Sequence, residues 1–352
     1  MSFSPVPLAS KKSINKAGQI LVNGNVSDAE LDQARDLANQ WRACHAYPIN
    51  TFQATLRRKL GTFSGEPIVA QRLKRMPTII DKLRRYPSMQ LTTMQDIGGV
   101  RAVMESIDDV YKLAGEYKSK SRFAHELVDE KDYINNPRDE DGYRSLHLIY
   151  KYKNIRNPTY DGLRLELQIR TKLQHTWTTA VETMGTFLGQ ALKSRQGDQE
   201  WIDFFAITSS AFAYMENMPI PARYQELSRT ESFSAVAVAD EKLGALDKMR
   251  GVSAAVNNIA KEGKGWSYHL IILNSLEGTV AIQPYDRDGF EQAMVDYSRI
   301  EKEAAEGKKI EPVLVSAGPI DTLRRAYPNF FLDIGGFVQT VSDIVSSVRK
   351  SD

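Results

Sequence analysis

The stretch "GLRLELQIRT", residues 162–171, carries the cleanest alternation in the chain. Leu163, Leu165, Leu167 and Ile169 fall on one face, and Arg164, Glu166, Gln168 and Arg170 on the other. That is the period of two required of a strand buried on one side. Such a strand presents a carboxylate, an amide and two guanidiniums above an apolar floor. Working outward, "VRAVMES" (100–106) reads as a second strand and residues 143–152 as a third. Helical stretches flank them: "IDDVYKLAGEYKSK" before, "KLQHTWTTAVETMGTFLGQ" and "QEWIDFFAITSSAFAYMENM" after. This order predicts an α+β fold, a mixed β-sheet flanked by helices.

Toward the N-terminus, residues 1–25 are rich in Ser, Pro and Gly and read as an arm. Helices follow, with Ser27 as N-cap and Glu30 completing a capping box. "GEPIVAQRLKRMPTIIDKLRRYP" (65–87) reads as helical and bent at Pro77. Toward the C-terminus, "PIPARYQELSRTESFS" (219–234) reads as a hinge. The pattern then restarts with a helix, a hairpin around Leu276-Glu277-Gly278, a helix, a strand and closing helices. The expected organisation is residues 1–63 as an arm and helices belonging to the first domain, 64–239 as the main domain, and 240–352 as a smaller α+β domain.

Composition excludes several classes. The net charge of +2 points to no class of partner, and the single cysteine, Cys44, rules out a disulfide framework or a cysteine-rich zinc site. No apolar run approaches the roughly 20 residues that span a bilayer. The N-terminal stretch lacks the apolar region of a signal peptide, so a cytoplasmic protein is expected. The five histidines form no H-E-x-x-H pattern, and neither a P-loop nor a G-x-G-x-x-G run is present.

Two features suggest chemistry. Asp96, before "IGGVRAV", and Glu166 are carboxylates that could share one Mg²⁺, which takes one or two protein carboxylates and fills its shell with phosphate oxygens and water. A turn aspartate and an arginine-paired glutamate would explain the same residues. Positive charge gathers at Arg72, Lys74, Arg75, Lys82, Arg84 and Arg85, which suits a triphosphate, a nucleic-acid backbone or a solvated helix face. In addition, "DEDGYRSLH" sets Tyr143 at the end of an acidic turn, an odd place for a large ring.

Five segments in order, "RLKRMPTIIDKL", "DIGGVRAV", "KDYINNPRDEDGYRSLH", "LELQIRT" and "HTWTTAVE", resemble the pyrophosphokinase domain of the RelA/SpoT alarmone synthetases. They span residues 72–182. The resemblance implies transfer of the β,γ-pyrophosphate of ATP to a ribose 3′-hydroxyl, with release of AMP. It implies Asp96, Glu166 and Tyr143 as catalytic residues, the two carboxylates as Mg²⁺ ligands, with Glu166 helping to activate the attacking hydroxyl. Arg72 would pack on adenine, and Lys74, Thr78, Lys82 and Arg101 would complete ATP binding. Arg138, His147, Gln168 and Arg170 would line the acceptor and its phosphates, and Tyr143 would stack on the acceptor's base. The "RDED" loop after Pro137 is one residue longer than the family's, and its acidity should repel a free guanosine polyphosphate.

The tail, through "LRRAYPNFFLDIGGFV" (323–338), resembles that of fused toxin–antitoxin synthetases of the CapRel type. This implies a toxin that pyrophosphorylates the 3′ CCA end of tRNA and halts translation. It is silenced by its own C-terminal domain and released by a phage protein of the capsid type. Tyr327 and Phe330 match the group's inhibitory aromatic pair, and the tail resembles a zinc-binding domain without zinc. Arg57, Arg58, Lys59, Arg84 and Arg85 are candidates for tRNA contact, no membrane partner is expected, and a monomer is. Two other readings stay open: a (p)ppGpp or (p)ppApp synthetase with a regulatory tail, and a nucleotide sensor without catalysis.

Overall fold

The alternating stretch is a strand near the centre of a five-stranded sheet. In the computed structural model, which describes residues 3–119, 123–187, 192, 198–256, 267–274, 279–286, 288–308, 310–316 and 334–349, the sheet comprises β1 (Ile68–Leu73), β2 (Gly98–Met104), β3 (Glu126–Asp132), β4 (Leu146–Lys151) and β5 (Arg164–Thr171). Their spatial order is β1-β2-β5-β4-β3. β2 and β5 run parallel, and the other three neighbouring pairs are antiparallel. The mixed sheet and its flanking helices are the α+β architecture expected.

Leu165, Leu167 and Ile169 are fully buried, in one core with Val100, Ala102, Leu146 and Leu148. Each such side chain contributes about 1.5–3 kcal/mol by leaving water. Over that face lie α1 (Lys11–Asn23), α2 (Asp28–Ala43), α3 (Ala46–Leu60) and α5 (Ile107–Lys118), joined by α4 (Met76–Arg85), which packs on α1. Gly98 lets α3 close on the sheet, because a Cβ there would stand 2.6 Å from Leu165 Cδ2 and 3.0 Å from Ile49 Cδ1.

Three readings of the sequence are corrected here. Most of the supposed N-terminal arm is α1, capped by Ser10, which accepts the Ser13 N–H, and ended by Gly24 at φ +69°. Ile14, Ala17 and Leu21 recur at helical spacing and are buried, and Gly18 in mid-helix lies close to Leu83 and Leu91, where a Cβ would meet each at 3.2 Å. The 65–87 stretch is not one bent helix. Its first part is β1, paired with β2, and Pro77 lies in the first turn of α4, where its missing N–H costs nothing. The supposed hinge is tied down: the Arg223 N–H donates to Asp139 Oδ1 at 2.6 Å, and the Tyr214 hydroxyl donates to the Leu227 carbonyl.

Helices α6 (Lys172–Phe187), α7 (Gln199–Met215), α8 (Arg229–Leu243) and α9 (Ala245–Val256) form a second core. Beyond them come β6 (Tyr268–Asn274), β7 (Thr279–Tyr285), α10 (Phe290–Ala305), β8 (Ile310–Ser316) and α11 (Gly335–Arg349). The three strands form an antiparallel sheet of order β7-β6-β8, with Tyr268, Leu270, Tyr285, Ala293, Tyr297 and Ile300 as its small core. α11 leaves that unit and returns to the helical layer, where the Phe337 ring lies 5.7 Å from Phe212 and 5.8 Å from Phe205. No helix among the described residues is long and apolar enough to cross a membrane.

Candidate active site

Strand register builds the site. Arg72 of β1 pairs with Gly99 of β2, which pairs with Glu166 of β5. One row along, Arg101 pairs with Gln168, and Gln168 with His147 of β4. Since side chains alternate along a strand, Arg72, Arg101, His147, Glu166, Gln168 and Arg170 all project from the face opposite Leu165 and Leu167. Gly99 leaves the space between Arg72 and Glu166 open, as a Cβ there would meet nothing closer than 3.9 Å.

Asp96, in the turn entering β2, is ion-paired with Lys74 Nζ at 2.9 Å and Lys82 Nζ at 3.0 Å. Burial opposes its charge, but the two ammonium groups hold its carboxyl well below the usual range. Burial pulls the Lys74 ammonium down, against the attraction of Asp96. Thr78 is half-buried one helical turn before Lys82 on α4. The charge of Asp96 is felt at Glu166, whose strand partner Gly99 lies three residues after Asp96. This donor set fits Mg²⁺: both groups are hard oxygen ligands, and the buried Asp96 Oδ1 faces the Lys82 ammonium. Lys74 and Lys82 would yield part of Asp96 to the metal and keep their charge for phosphate.

Glu166 belongs to a chain of polar contacts. His147 Nδ1 stands 2.8 Å from Glu166 Oε1, and Tyr143 Oη 2.8 Å from His147 Nε2. Gln168 Nε2 donates to Glu166 Oε2 at 2.8 Å, and Arg170 donates to Gln168 Oε1 at 2.6 Å. Burial works to lower the His147 pKa, but the Tyr143 oxygen and the Glu166 carboxylate raise it to about 9. Burial likewise opposes the Glu166 charge, while His147 brings its pKa down to about 2. Both shifts favour an imidazolium–carboxylate pair.

The acidic loop is packed on α7, and one of its acids is ion-paired. Gly142 has φ +74° and packs so tightly on α7 that a Cβ would meet Ser209 Cβ at 2.8 Å, while Ser209 Oγ donates to the Gly142 carbonyl at 2.5 Å. Asp139 accepts from Arg223 N–H, and Asp141 accepts from the Arg138 guanidinium. Tyr143 is buried at 6% exposure rather than open to solvent.

The remaining candidates are not gathered at this site. Arg57 and Arg58 are exposed at the end of α3, on the opposite side of the sheet, and Lys59 there pairs with Glu116. Arg84 is exposed, and Arg85 pairs with Asp81. Tyr327 and Phe330 lie outside the described residues. Sequence reading missed Glu216, which accepts from Arg144 at 2.7 Å, from Gln174 at 3.0 Å and from the Thr171 hydroxyl, fixing the β5–α6 turn. It missed Glu301 of α10 as well. Neither has a local motif, because Arg144 and Gln174 for Glu216, and Arg42 and Met76 for Glu301, are far away in sequence.

Residues 71–185 match the family described as a region found in RelA / SpoT proteins. The chain is 34% identical over 113 residues to the GTP pyrophosphokinase YjbM of Bacillus subtilis, covering 32% of this chain and 52% of that protein. It is 32% identical over 114 residues to the GTP pyrophosphokinase YwaC of the same organism, covering 31% and 52%. The chain thus spans about half the length of these curated relatives. Among solved structures, the small alarmone synthetase 2 from Bacillus subtilis aligns at a TM-score of 0.43 and 23% identity, covering 50% of this chain and 92% of that one.

Proposed function

We propose that this protein is an ATP-dependent pyrophosphokinase that moves the β,γ-pyrophosphate of ATP to the 3′-hydroxyl of the tRNA CCA end. One observation carries the reaction class: within a RelA/SpoT region, Asp96 is ion-paired with Lys74 and Lys82 and enters β2 three residues before Gly99, the strand partner of Glu166. Lys74, Lys82 and Thr78 hold the phosphates, and Arg72 and Arg101 hold the adenosine end. Bound Mg²⁺, held by Asp96 and Glu166, supplies charge neutralisation on the transferring group. Glu166 helps to activate the attacking hydroxyl, with His147 and Gln168 fixing its orientation. Tyr143 stacks on the base of the acceptor.

The C-terminal unit keeps the enzyme silent until a phage protein of the capsid type displaces it. The docking of Glu301 against Arg42 and the first N–H of α4 supports a resting contact between that unit and the helix carrying Lys82. A second reading, an alarmone synthetase with a regulatory tail, is favoured by the names of the curated relatives, both GTP pyrophosphokinases. Of the three acids of the loop, Asp141 does not weigh against it, since Arg138 neutralises it.

The test is the full chain with γ-³²P-ATP, total tRNA and GTP together, with and without candidate phage proteins. Label on tRNA that appears only with a phage protein is the expected result. Label on the free guanine nucleotide alone selects the second reading. Removing residues beyond 240 is a poor substitute, because it cuts α8 and strips Phe337 from Phe205 and Phe212.

A further inference from the structure

The ring assigned to the acceptor's base is already covered. The Arg138 guanidinium lies over Tyr143, with Cζ 4.5 Å from the ring centroid. Asp141 holds it there: Arg138 Nε donates to Asp141 Oδ1 at 3.0 Å and Nη2 to Oδ2 at 2.5 Å. The same Oδ1 accepts the Tyr143 N–H at 3.0 Å, so one buried carboxylate sets both members of the stack. Two backbone bonds close the loop around them, Gly142 N–H to the Arg138 carbonyl at 2.8 Å and Arg138 N–H to the Tyr143 carbonyl at 3.2 Å. On another side the ring abuts an apolar pocket of Trp177, Val181, Ile202 and Phe205. A base cannot slip between ring and guanidinium, since 4.5 Å leaves no room for a third aromatic layer.

We propose that Arg138 is an exchangeable plug and thereby a specificity determinant, with Asp141 as its positioning residue. The acceptor's base takes the place of the guanidinium on Tyr143, and Arg138 leaves Asp141 for a phosphate of the acceptor. An acceptor with a phosphate beside its terminal nucleoside, such as a polynucleotide end or a nucleotide, replaces the ion pair that it breaks. A bare nucleoside replaces the cation–π contact with its own stack but gives nothing back for the broken ion pair. Selection for a phosphate-bearing acceptor therefore comes from both sides of one residue. The inference rests on the reading that Tyr143 stacks on the acceptor's base.

The experiment measures acceptor KM with ATP in wild type, Arg138→Gln, Asp141→Asn and Tyr143→Leu. Guanosine and adenosine serve as bare acceptors, GTP and tRNA as phosphate-bearing ones, and isothermal titration reports binding where turnover is slow. Removing the plug should lower KM or Kd for the bare nucleosides about three- to thirtyfold in Arg138→Gln. The same variant should weaken GTP and tRNA relative to them. Asp141→Asn keeps an acceptor for the Tyr143 N–H and should lower KM for all four. A guanidinium that only contacts phosphate would leave the nucleosides unchanged in Arg138→Gln, and that result overturns the plug, as does a rise. Tyr143→Leu separates the failures. If it leaves every acceptor as in wild type, the stacking reading falls and the plug with it; if it raises KM while Arg138→Gln fails to help nucleosides, the plug alone falls.

Discussion

Glu301 Oε2 stands 3.0 Å from Arg42 Nη1, both side chains are buried, and the pair ties the small C-terminal unit to the body of the protein. Glu301 also accepts the Met76 N–H and the Tyr297 hydroxyl, each at 2.8 Å, and the Tyr297 ring lies 4.7 Å from the Arg42 guanidinium. Met76 opens α4, so a residue of the tail caps the helix that carries Thr78 and Lys82.

Glu301→Ala leaves Arg42 buried without its counter-charge and α4 without its cap. It should cost about 3–5 kcal/mol, the usual penalty for breaking one side of a buried pair. The joint replacement Arg42→Met with Glu301→Leu should recover most of that loss in a thermal melt. If the tail silences the enzyme, both variants should release AMP without a phage protein. A stable double variant that stays silent would show that this pair is structural glue and not the restraint.

The two lysines on Asp96 are not equivalent. Lys74 follows the edge strand, with its N–H bonded to the Ile97 carbonyl at 2.8 Å, whereas Lys82 rides on α4. Lys82→Met should lower the rate of AMP release by about 10²- to 10³-fold, as expected for one preorganised charge on a transferring group. Asp96→Asn should abolish the response to Mg²⁺ while leaving the fold intact, because each lysine is only partly buried. A titration of rate against Mg²⁺ distinguishes the two.

The His147–Glu166 pair fixes the shape of a pH profile. The His147 pKa is raised, from an ordinary 6.5 to about 9, so its contribution is complete below 6.5 and disappears as pH rises through 9. The Glu166 pKa is lowered, from 4.5 to about 2, so its contribution is complete above 4.5 and disappears as pH falls toward 2. The stability difference between wild type and His147→Gln should therefore be flat between about pH 4.5 and 6.5 and shrink on either side. Urea denaturation across pH 4 to 10 measures it, and a difference that grows above pH 7 would contradict the ion pair.

What the sequence disclosed follows from where periodicity is strong. β5 was legible because one face is dry and the other polar, whereas β3 carries Glu126, Asp129, Glu130, Lys131 and Asp132 on a partly exposed edge and has no alternation to read. α1 was lost by averaging composition over residues that cap it. The placement of Asp96, Lys74, Lys82 and Glu166 is a product of strand register, so motif order could point to it but spacing could not. Asp141 was legible only as charge, and its role came into view when Arg138 and Tyr143 were placed around it.

Gly142 provides the sharpest check on the acceptor loop, because Gly162 serves as its control. Both have positive φ, +74° and +84°, but a Cβ at Gly162 meets nothing within 4 Å, whereas one at Gly142 would press on Ser209 Cβ at 2.8 Å and Ala206 Cα at 3.1 Å. Alanine at either position carries the strain of a left-handed backbone, of order 1–3 kcal/mol. At Gly142 it also pushes the loop away from α7 and takes with it Asp141, Arg138 and the Tyr143 N–H that depends on Asp141. Gly142→Ala should therefore raise acceptor KM tenfold or more, about 1.4 kcal/mol or above. ATP binding through Lys74 and Lys82 should stay as it was, and Gly162→Ala should lower stability without moving acceptor KM. Equal effects of the two substitutions on acceptor KM would mean that the contact with α7 does not set the acceptor loop.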